Sequence, residues 1–415
     1  MDIKKEYEVA KEIYKKYNVD TDEVIKIMNE VNLSIHCWQG DDVKGFLFNN
    51  DLSGGIQVTG NYKGRARNIE ELRKDLELVF SLVPGNNKLN LHAIYADTKD
   101  KIDLDELEPK HFKSWVQWAK KNNIGLDFNP TLFSHKNADS GFTLSSYDEN
   151  IRNFWIEHCK RSRKIGEYFG KELNQKSVVN IWIPDGYKDN PISRIKHREY
   201  LKDSLDKIFE EKLDDNYILD TLESKLFGIG QEAYTTGSHE FYLAYAIKNN
   251  KSICLDAGHF HPTENISDKI SSILLFSNEI LLHLSRPMRW DSDHVILNDD
   301  NLNDIFKAIV RDNLLNKVHL GLDFFDASIN RTYAWVIGIK NAQKALIHAL
   351  LEPRDFLLKL EEKNDYSDRL FYTEELKSLP YGIIYDYYCY LNNKPYGDNC
   401  IDVLKNYEEN VLDKR

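Results

Sequence analysis

Short apolar runs punctuate the 415-residue chain, and each gives way to polar or glycine-bearing turn residues. The runs are LSIHCW (33–38), LNLHAIY (89–95), IGLDFN (124–129), VVNIWIP (178–184), YILDTLESKLF (217–227), SICLDAG (252–258), EILLHLS (279–285) and VHLGLDF (318–324). Helix-like stretches lie between them, among them IEELRKDLELVFSLV (69–83), HFKSWVQWAKKN (111–122), NIRNFWIEHCKRSRKIGEYFGKEL (150–173) and LNDIFKAIVRDNLL (302–315). Eight strands alternating with helices predict an α/β fold with a parallel sheet, because parallel strands need long crossovers. A count of eight predicts closure into a (β/α)8 TIM barrel rather than an open sheet.

The barrel is expected over residues 1–345, an N-terminal helix included. Leucine-rich, charged and tyrosine-rich helical segments make a C-terminal extension over 346–415, suited to packing on the barrel or on another subunit. The first strand is followed by GDDVKGFLFNNDLSGGIQVTGNYKGRARN (40–68), whose glycines and polar residues predict a cover over the barrel mouth. No Gly-Lys-Ser/Thr follows those glycines, which excludes a phosphate-binding loop.

Composition narrows the partners. The chain is 41% hydrophobic and 29% charged, as globular proteins are, and its net charge of −12 argues against nucleic acid as the main partner. Cys37, Cys159, Cys254, Cys389 and Cys400 are scattered without CxxC spacing, which points to a reducing compartment and away from disulfides or a zinc–thiolate site. The N-terminal MDIKKEYEVAKEIYKKY lacks the apolar segment of a signal peptide, and no apolar run approaches the ~20 residues of a membrane span. A soluble, cytoplasmic protein without a membrane partner is expected.

Alternation along the strands places the chemistry. Glu223, Asp256, His283 and Asp323 fall on the inward parity near the C-terminal ends of four successive strands, the barrel face where active sites are built. Glu223 shares its parity with Lys225, Asp256 with Cys254, and Asp323 with Gly321 and His319. Three carboxylates and an imidazole suit Mn²⁺ or Mg²⁺ better than thiolate-seeking metals. In the loops beyond, His259, Asp291 and Asp293 make a second, open set with positions left for substrate and water. Gly258 lets the chain turn, so that Asp256 and His259 serve different ions.

Each residue alone has a structural explanation. An aspartate at a strand end caps the next helix, Asp-Ser-Asp forms a turn, His319 is a satisfied core group, and His261 bonds backbone or neighbouring groups. Together the carboxylates are costly without cations, and Lys225 offsets only part of their charge. Trp38, His92, Phe128, Phe133, Asn180, Trp182 and Asp185 lie at or after the first four strands, where aromatic faces with polar neighbours suit a polyol. Aromatic core filling explains each of them equally well when taken singly.

The words HCWQGDDV, GGIQVTGNYKGRARN, NLHAIY, NIWIPDG, ESKLFGIG, DAGHFHPTE, SRPMRWDSDHV and GLDFFDASINR, in that order, resemble the L-rhamnose isomerase family. The similarity covers nearly the whole chain and thins over the last few dozen residues. It implies a xylose isomerase-like barrel, usually a homotetramer, interconverting L-rhamnose and L-rhamnulose. It also implies Mn²⁺ at two divalent sites per chain, with Co²⁺ or Mg²⁺ as substitutes. By position, His259, Asp291 and Asp293 would hold the catalytic ion, and Glu223, Asp256, His283 and Asp323 the structural one. Lys225 would contact substrate oxygens near the reacting carbons. The catalytic set is therefore Lys225, Asp323 and His92, the last in ring opening, with Trp38, Phe133 and Trp182 binding substrate. The motifs are rich in metal ligands and poor in free bases, which favours a metal-assisted 1,2-hydride shift over an enediol route. The rival readings are a sugar epimerase or an endonuclease on a related barrel, the latter disfavoured by acidity, and a non-catalytic sugar-binding protein, disfavoured by the open metal set.

Overall fold

The computed structural model describes every residue except 1, 49–51, 53–55, 57, 226–232, 262 and 287–292. Eight parallel strands form a closed barrel: β1 (Asn32–His36), β2 (Asn86–His92), β3 (Gly125–Asn129), β4 (Ser177–Trp182), β5 (Ile218–Glu223), β6 (Ser252–Asp256), β7 (Ile280–Leu284) and β8 (Val318–Leu322). Each pairs with its neighbours in sequence, and β8 closes on β1. All eight lie within or beside the expected apolar runs. Two runs overshoot. The β1–β2 ladder ends at the pair His36 and Asn90, and both chains then curl into 3₁₀ turns, Cys37–Gly40 and Ala93–Tyr95. Trp38 therefore rides on a turn at the mouth rather than on a strand.

Residues of outward parity, such as Ile35, Leu89, Leu126, Val179, Leu222, Leu255, Leu282 and Leu320, are buried in one large apolar core beneath the helices. The helices following the strands are Ile69–Leu82, Lys113–Asn122, Glu149–Leu173, Arg194–Ile208, His239–Lys248, Ile266–Leu274, Asp300–Arg311 and Arg331–Leu350. Most start on an Asn, Asp or Ser whose side chain accepts a free backbone N–H, for example Asn68, Asp148 and Ser193. Arg163, on the third of these helices, meets Asp220 of β5 through two hydrogen bonds of 2.8 and 2.9 Å, both side chains being buried.

The inward parity is different. It is largely polar, and its apolar part is a small cluster of Val178, Cys254 and Leu281 with Leu219 against it. At the N-terminal end of the barrel a cavity of about 550 Å³ is lined by Ser34, Lys88, Asn90, Asp127 and Gly321, among others. Lys88 and Asp127 form a buried ion pair there.

The expected domain boundary at 345/346 falls inside the helix Arg331–Leu350. Four further helices follow, Arg354–Glu362, Tyr366–Leu376, Tyr381–Leu391 and Ile401–Asn410. They pack back on the rest of the chain. Tyr387 stacks on Tyr7 of the helix Ile3–Lys15 with ring centres 3.8 Å apart, and Tyr385 donates to Gln343 at 2.9 Å. Among the described residues no helix is long and apolar enough to cross a membrane. Part of the 40–68 loop lies outside the described residues. Its base is anchored where Arg331 grips Asp42 at 2.8 and 2.9 Å and buried Asp41 accepts the Gly45 N–H at 2.7 Å. Asp42 and Val43 both take left-handed conformations, at φ 64° and 61°, and for β-branched Val43 that is a strained one.

Candidate active site

The C-terminal ends of β5 to β8 bring four side chains to one place. Donor atoms of Glu223, Asp256, His283 and Asp323 all lie within 4.8 Å of one another. His283 Nδ1 stands 3.4 Å from Glu223 Oε1, 3.5 Å from Asp256 Oδ2 and 3.1 Å from Asp323 Oδ2. Register explains the convergence. His283 pairs directly with Asp256 on β6, and Gly321 of β8 pairs with His283 on its other side. At Gly321 a side chain would crowd two imidazoles. A Cβ there would sit 3.0 Å from His283 Cδ2 and 3.2 Å from His36 Nε2.

The outer atoms of these groups are fixed by the chain. Asn180 donates to Glu223 Oε2, and its own oxygen accepts from Thr221 at 2.9 Å. Asp256 Oδ1 accepts from the Gly258 N–H at 2.6 Å and from Ser285 Oγ at 3.2 Å. Asp323 Oδ1 accepts from Trp38 Nε1 at 3.1 Å and lies 2.9 Å from His36 Nδ1. The inner atoms are not so provided. Asp256 Oδ2 and both ring nitrogens of His283 are buried without a hydrogen-bond partner. Buried polar atoms left in this state are costly. A compact set of oxygen and nitrogen donors around them matches a divalent cation of Mn²⁺ or Mg²⁺ type.

Charge interactions in the cluster are strong. Burial drives His283 toward neutrality, but Cys254, Glu223 and Asp323 around it raise its pKa well above the usual imidazole value. Burial also pushes the carboxyls up. For Asp323 the nearby His36 and His283 more than reverse this and hold it well below the usual range, and for Glu223 His283 and His259 do the same in smaller measure. Asp256 stays raised by burial.

Of the second expected set, His259 reaches the same region: its Nδ1 lies 3.4 Å from Glu223 Oε1 and 2.7 Å from the Ser224 carbonyl. Asp293 sits on the loop after β7 at φ 44°, and its carbonyl accepts the Phe325 N–H at 3.3 Å. Asp293 is not part of the four-residue grouping, and Asp291 lies outside the described residues.

Beside the cluster, Lys225 Nζ lies 5.0 Å from the centre of the Trp182 ring. Trp182 meets Phe133 with centres 6.2 Å apart, Phe133 meets His92 at 5.4 Å, and His92 meets Trp38 at 4.4 Å. These rings form a continuous aromatic wall. His92 is held neutral, its pKa lowered to about 3 by burial, and its Nδ1 stands 3.2 Å from the Thr131 hydroxyl.

Two mouth residues belong elsewhere. Phe128 has outward parity and packs in the strand–helix layer, its ring centre 5.0 Å from Phe112 and 5.7 Å from Phe169. Asp185 is fully buried and spent on anchoring a loop, accepting from Thr143 Oγ1 at 2.5 Å and from the Ser145 backbone and hydroxyl at 2.9 and 2.6 Å. His319 bonds Glu279 at 2.6 Å, and exposed His261 bonds Thr263 at 2.8 Å, so both have local partners. Residue-by-residue reading passed over His36 and Asn90. The parity that selected the carboxylates also turns both inward, His36 beside Asp323 and Asn90 beside His36.

Comparison with known proteins matches the sequence to a family. The family model described as L-rhamnose isomerase (RhaA) matches residues 1–415. An L-rhamnose isomerase of Listeria monocytogenes is 56% identical over 415 residues, covering 100% of this chain and 99% of that protein. The Listeria innocua enzyme of the same name gives the same identity and coverage. An L-rhamnose isomerase of Salmonella agona is 53% identical over 410 residues, 99% of this chain and 98% of the relative.

Proposed function

Because the chain belongs to the L-rhamnose isomerase family, we propose that it interconverts L-rhamnose and L-rhamnulose by a metal-assisted 1,2-hydride shift, with divalent cations held at two neighbouring positions. Glu223, Asp256, His283 and Asp323 hold one ion, and His259 with Asp291 and Asp293 holds the second. Bound Mn²⁺, or Co²⁺ or Mg²⁺ in its place, supplies the Lewis acidity that polarises the sugar carbonyl and its neighbouring hydroxyl.

The remaining work falls to the chain. Lys225 directs its charge at the substrate oxygens near the reacting carbons, where negative charge builds as hydrogen moves. Neutral His92 relays a proton as the cyclic sugar opens, taking it from the anomeric hydroxyl and delivering it to the ring oxygen as the bond from that oxygen to the anomeric carbon breaks. Trp38, Phe133 and Trp182 cover the C–H face of the open-chain sugar and keep bulk water from the reacting carbons.

The observation that carries this reading is the convergence of four donor side chains, among which Asp256 Oδ2 and both His283 ring nitrogens lack a hydrogen-bond partner. Its test is isomerisation of L-rhamnose by chelated and Mn²⁺-restored protein, with tritium at the migrating position. Full activity after chelation at neutral pH overturns the metal role, and rapid loss of tritium to water overturns the hydride shift in favour of an enediol.

Exposed Leu275 and Phe276, at 81% and 72% accessibility, support an assembled form. We read it as a homotetramer, to be checked by light scattering. The five buried free thiols fit the reducing cytoplasm.

A further inference from the structure

The two oxygens of Asp323 face different worlds. Oδ2 turns to the centre of the donor cluster, 3.1 Å from His283 Nδ1. Oδ1 turns away, toward Trp38 Nε1 at 3.1 Å and His36 Nδ1 at 2.9 Å. His36 is the last residue of β1 and only 1% exposed, and the β1–β8 register brings it alongside Asp323.

What His36 presents to Asp323 depends on which ring nitrogen carries the proton, and its far side decides that. The Asn90 amide nitrogen lies 3.3 Å from His36 Nε2 and donates to Asn129 Oδ1 at 3.0 Å. Its two hydrogens are thus shared between one neighbour each. Reversing Asn90 would set its oxygen against Asn129 Oδ1, two acceptors face to face. With a donor against it, Nε2 keeps its lone pair, and the proton sits on Nδ1, which lies 2.9 Å from Asp323 Oδ1 although out of line for a hydrogen bond and with no other partner.

We propose that His36, fixed as the Nδ1–H tautomer by Asn90, is a positioning residue that occupies Asp323 Oδ1 and so leaves Oδ2 alone to serve the cation. Trp38 shares the task, but an indole on a turn at the mouth is a less rigid anchor than an imidazole on a paired strand. A carboxylate freed of both would swing, and partners of this outer kind typically change metal affinity or activity by about 10- to 100-fold when removed.

The inference rests on the metal reading above, and the experiment separates the two. Metal-stripped wild type, His36→Leu and His36→Asn are titrated with Mn²⁺ by calorimetry, and their kcat and KM for L-rhamnose are measured separately. His36→Leu is expected to bind Mn²⁺ about 10- to 100-fold more weakly and to lose kcat with little change in KM. His36→Asn places an amide N–H near the former Nδ1 and should recover most of both. Neutron diffraction from the wild type should find a deuteron on Nδ1 and none on Nε2, a result independent of how well any variant folds. A deuteron on Nε2 alone, or a folded His36→Leu with wild-type Mn²⁺ affinity, overturns the proposal. Failure of the wild type itself to bind Mn²⁺ overturns the metal reading instead.

Discussion

The Lys225 ammonium lies 5.0 Å from the centre of the Trp182 ring, beside Glu223 two residues earlier in the chain. A buried cation on an aromatic face is attracted by the negative face of the ring. Such an arrangement is worth about 2 kcal/mol when desolvated.

If that charge serves the reaction rather than the fold, Lys225→Met should lower kcat by about 100- to 1,000-fold, the loss typical of removing one stabilising donor. KM should move only a few-fold. Lys225→Arg should not restore the rate, because a planar guanidinium cannot replace a point charge in the same space. Steady-state kinetics with L-rhamnose decide this, and a Lys225→Met enzyme of wild-type kcat would remove Lys225 from the mechanism.

The protonation of the cluster gives a prediction with a definite sign. The pKa of His283 is raised on folding, so its contribution to stability is present below its unfolded value of about 6.5 and is lost as pH climbs through the folded value. Glu223 and Asp323 are lowered, so their contribution is present above about 4 and is lost only in acid. Chelated protein should therefore lose thermal stability through the alkaline range, while saturating Mn²⁺ should abolish that loss. Binding must also displace the His283 proton, so Mn²⁺ affinity should rise with pH. Calorimetry in two buffers of different ionisation heat counts the released proton, and no dependence on the buffer would contradict the assignment.

Gly321→Ala adds one methyl between two imidazoles, 3.0 Å from His283 Cδ2 and 3.2 Å from His36 Nε2. The crowding should cost about 1–3 kcal/mol of stability. Because His283 is the ring that must move, Mn²⁺ affinity should fall as well. Urea unfolding and metal titration of the variant measure the two effects separately.

Far from the mouth, Arg163→Met leaves Asp220 buried without its bidentate partner. Loss of one member of such a pair costs about 3–5 kcal/mol. Lys251, 2.7 Å from the same carboxylate, should hold the cost at the lower end. Denaturant midpoints should fall, while kcat at low temperature should stay within about twofold of wild type, since the pair lies on the strand–helix side of β5.

The barrel was legible because its strands are short, apolar and regularly spaced between helices, and the inward parity of Glu223, Asp256, His283 and Asp323 followed from alternation alone. Strand ends were less legible. Apolar sequence continues through Cys37 and Trp38, and through Ala93 to Tyr95, but the ladder stops when its partner curls away. Phe128 shows alternation applied incompletely: it neighbours inward Asp127 and so had to face the helices. His36 lies in an apolar run and Asn90 in another, and nothing in either run advertises that the two would meet across paired strands. Asp185, placed at the mouth by its position after β4, is consumed by Thr143 and Ser145 from a loop some forty residues earlier, a contact that only the folded chain creates.

The largely polar inner wall separates two kinds of selection. Hydrophobic free energy resides in the shell between strands and helices, where Ile35, Leu89, Leu255 and Leu320 are buried, while the lumen holds little beyond Val178, Leu219, Cys254 and Leu281. A change of lumen side chain thus alters chemistry while drawing on little of the burial that keeps the protein folded. What such a change does cost is set by close packing and buried charge, as at Gly321 and the Lys88–Asp127 pair, and not by lost apolar area.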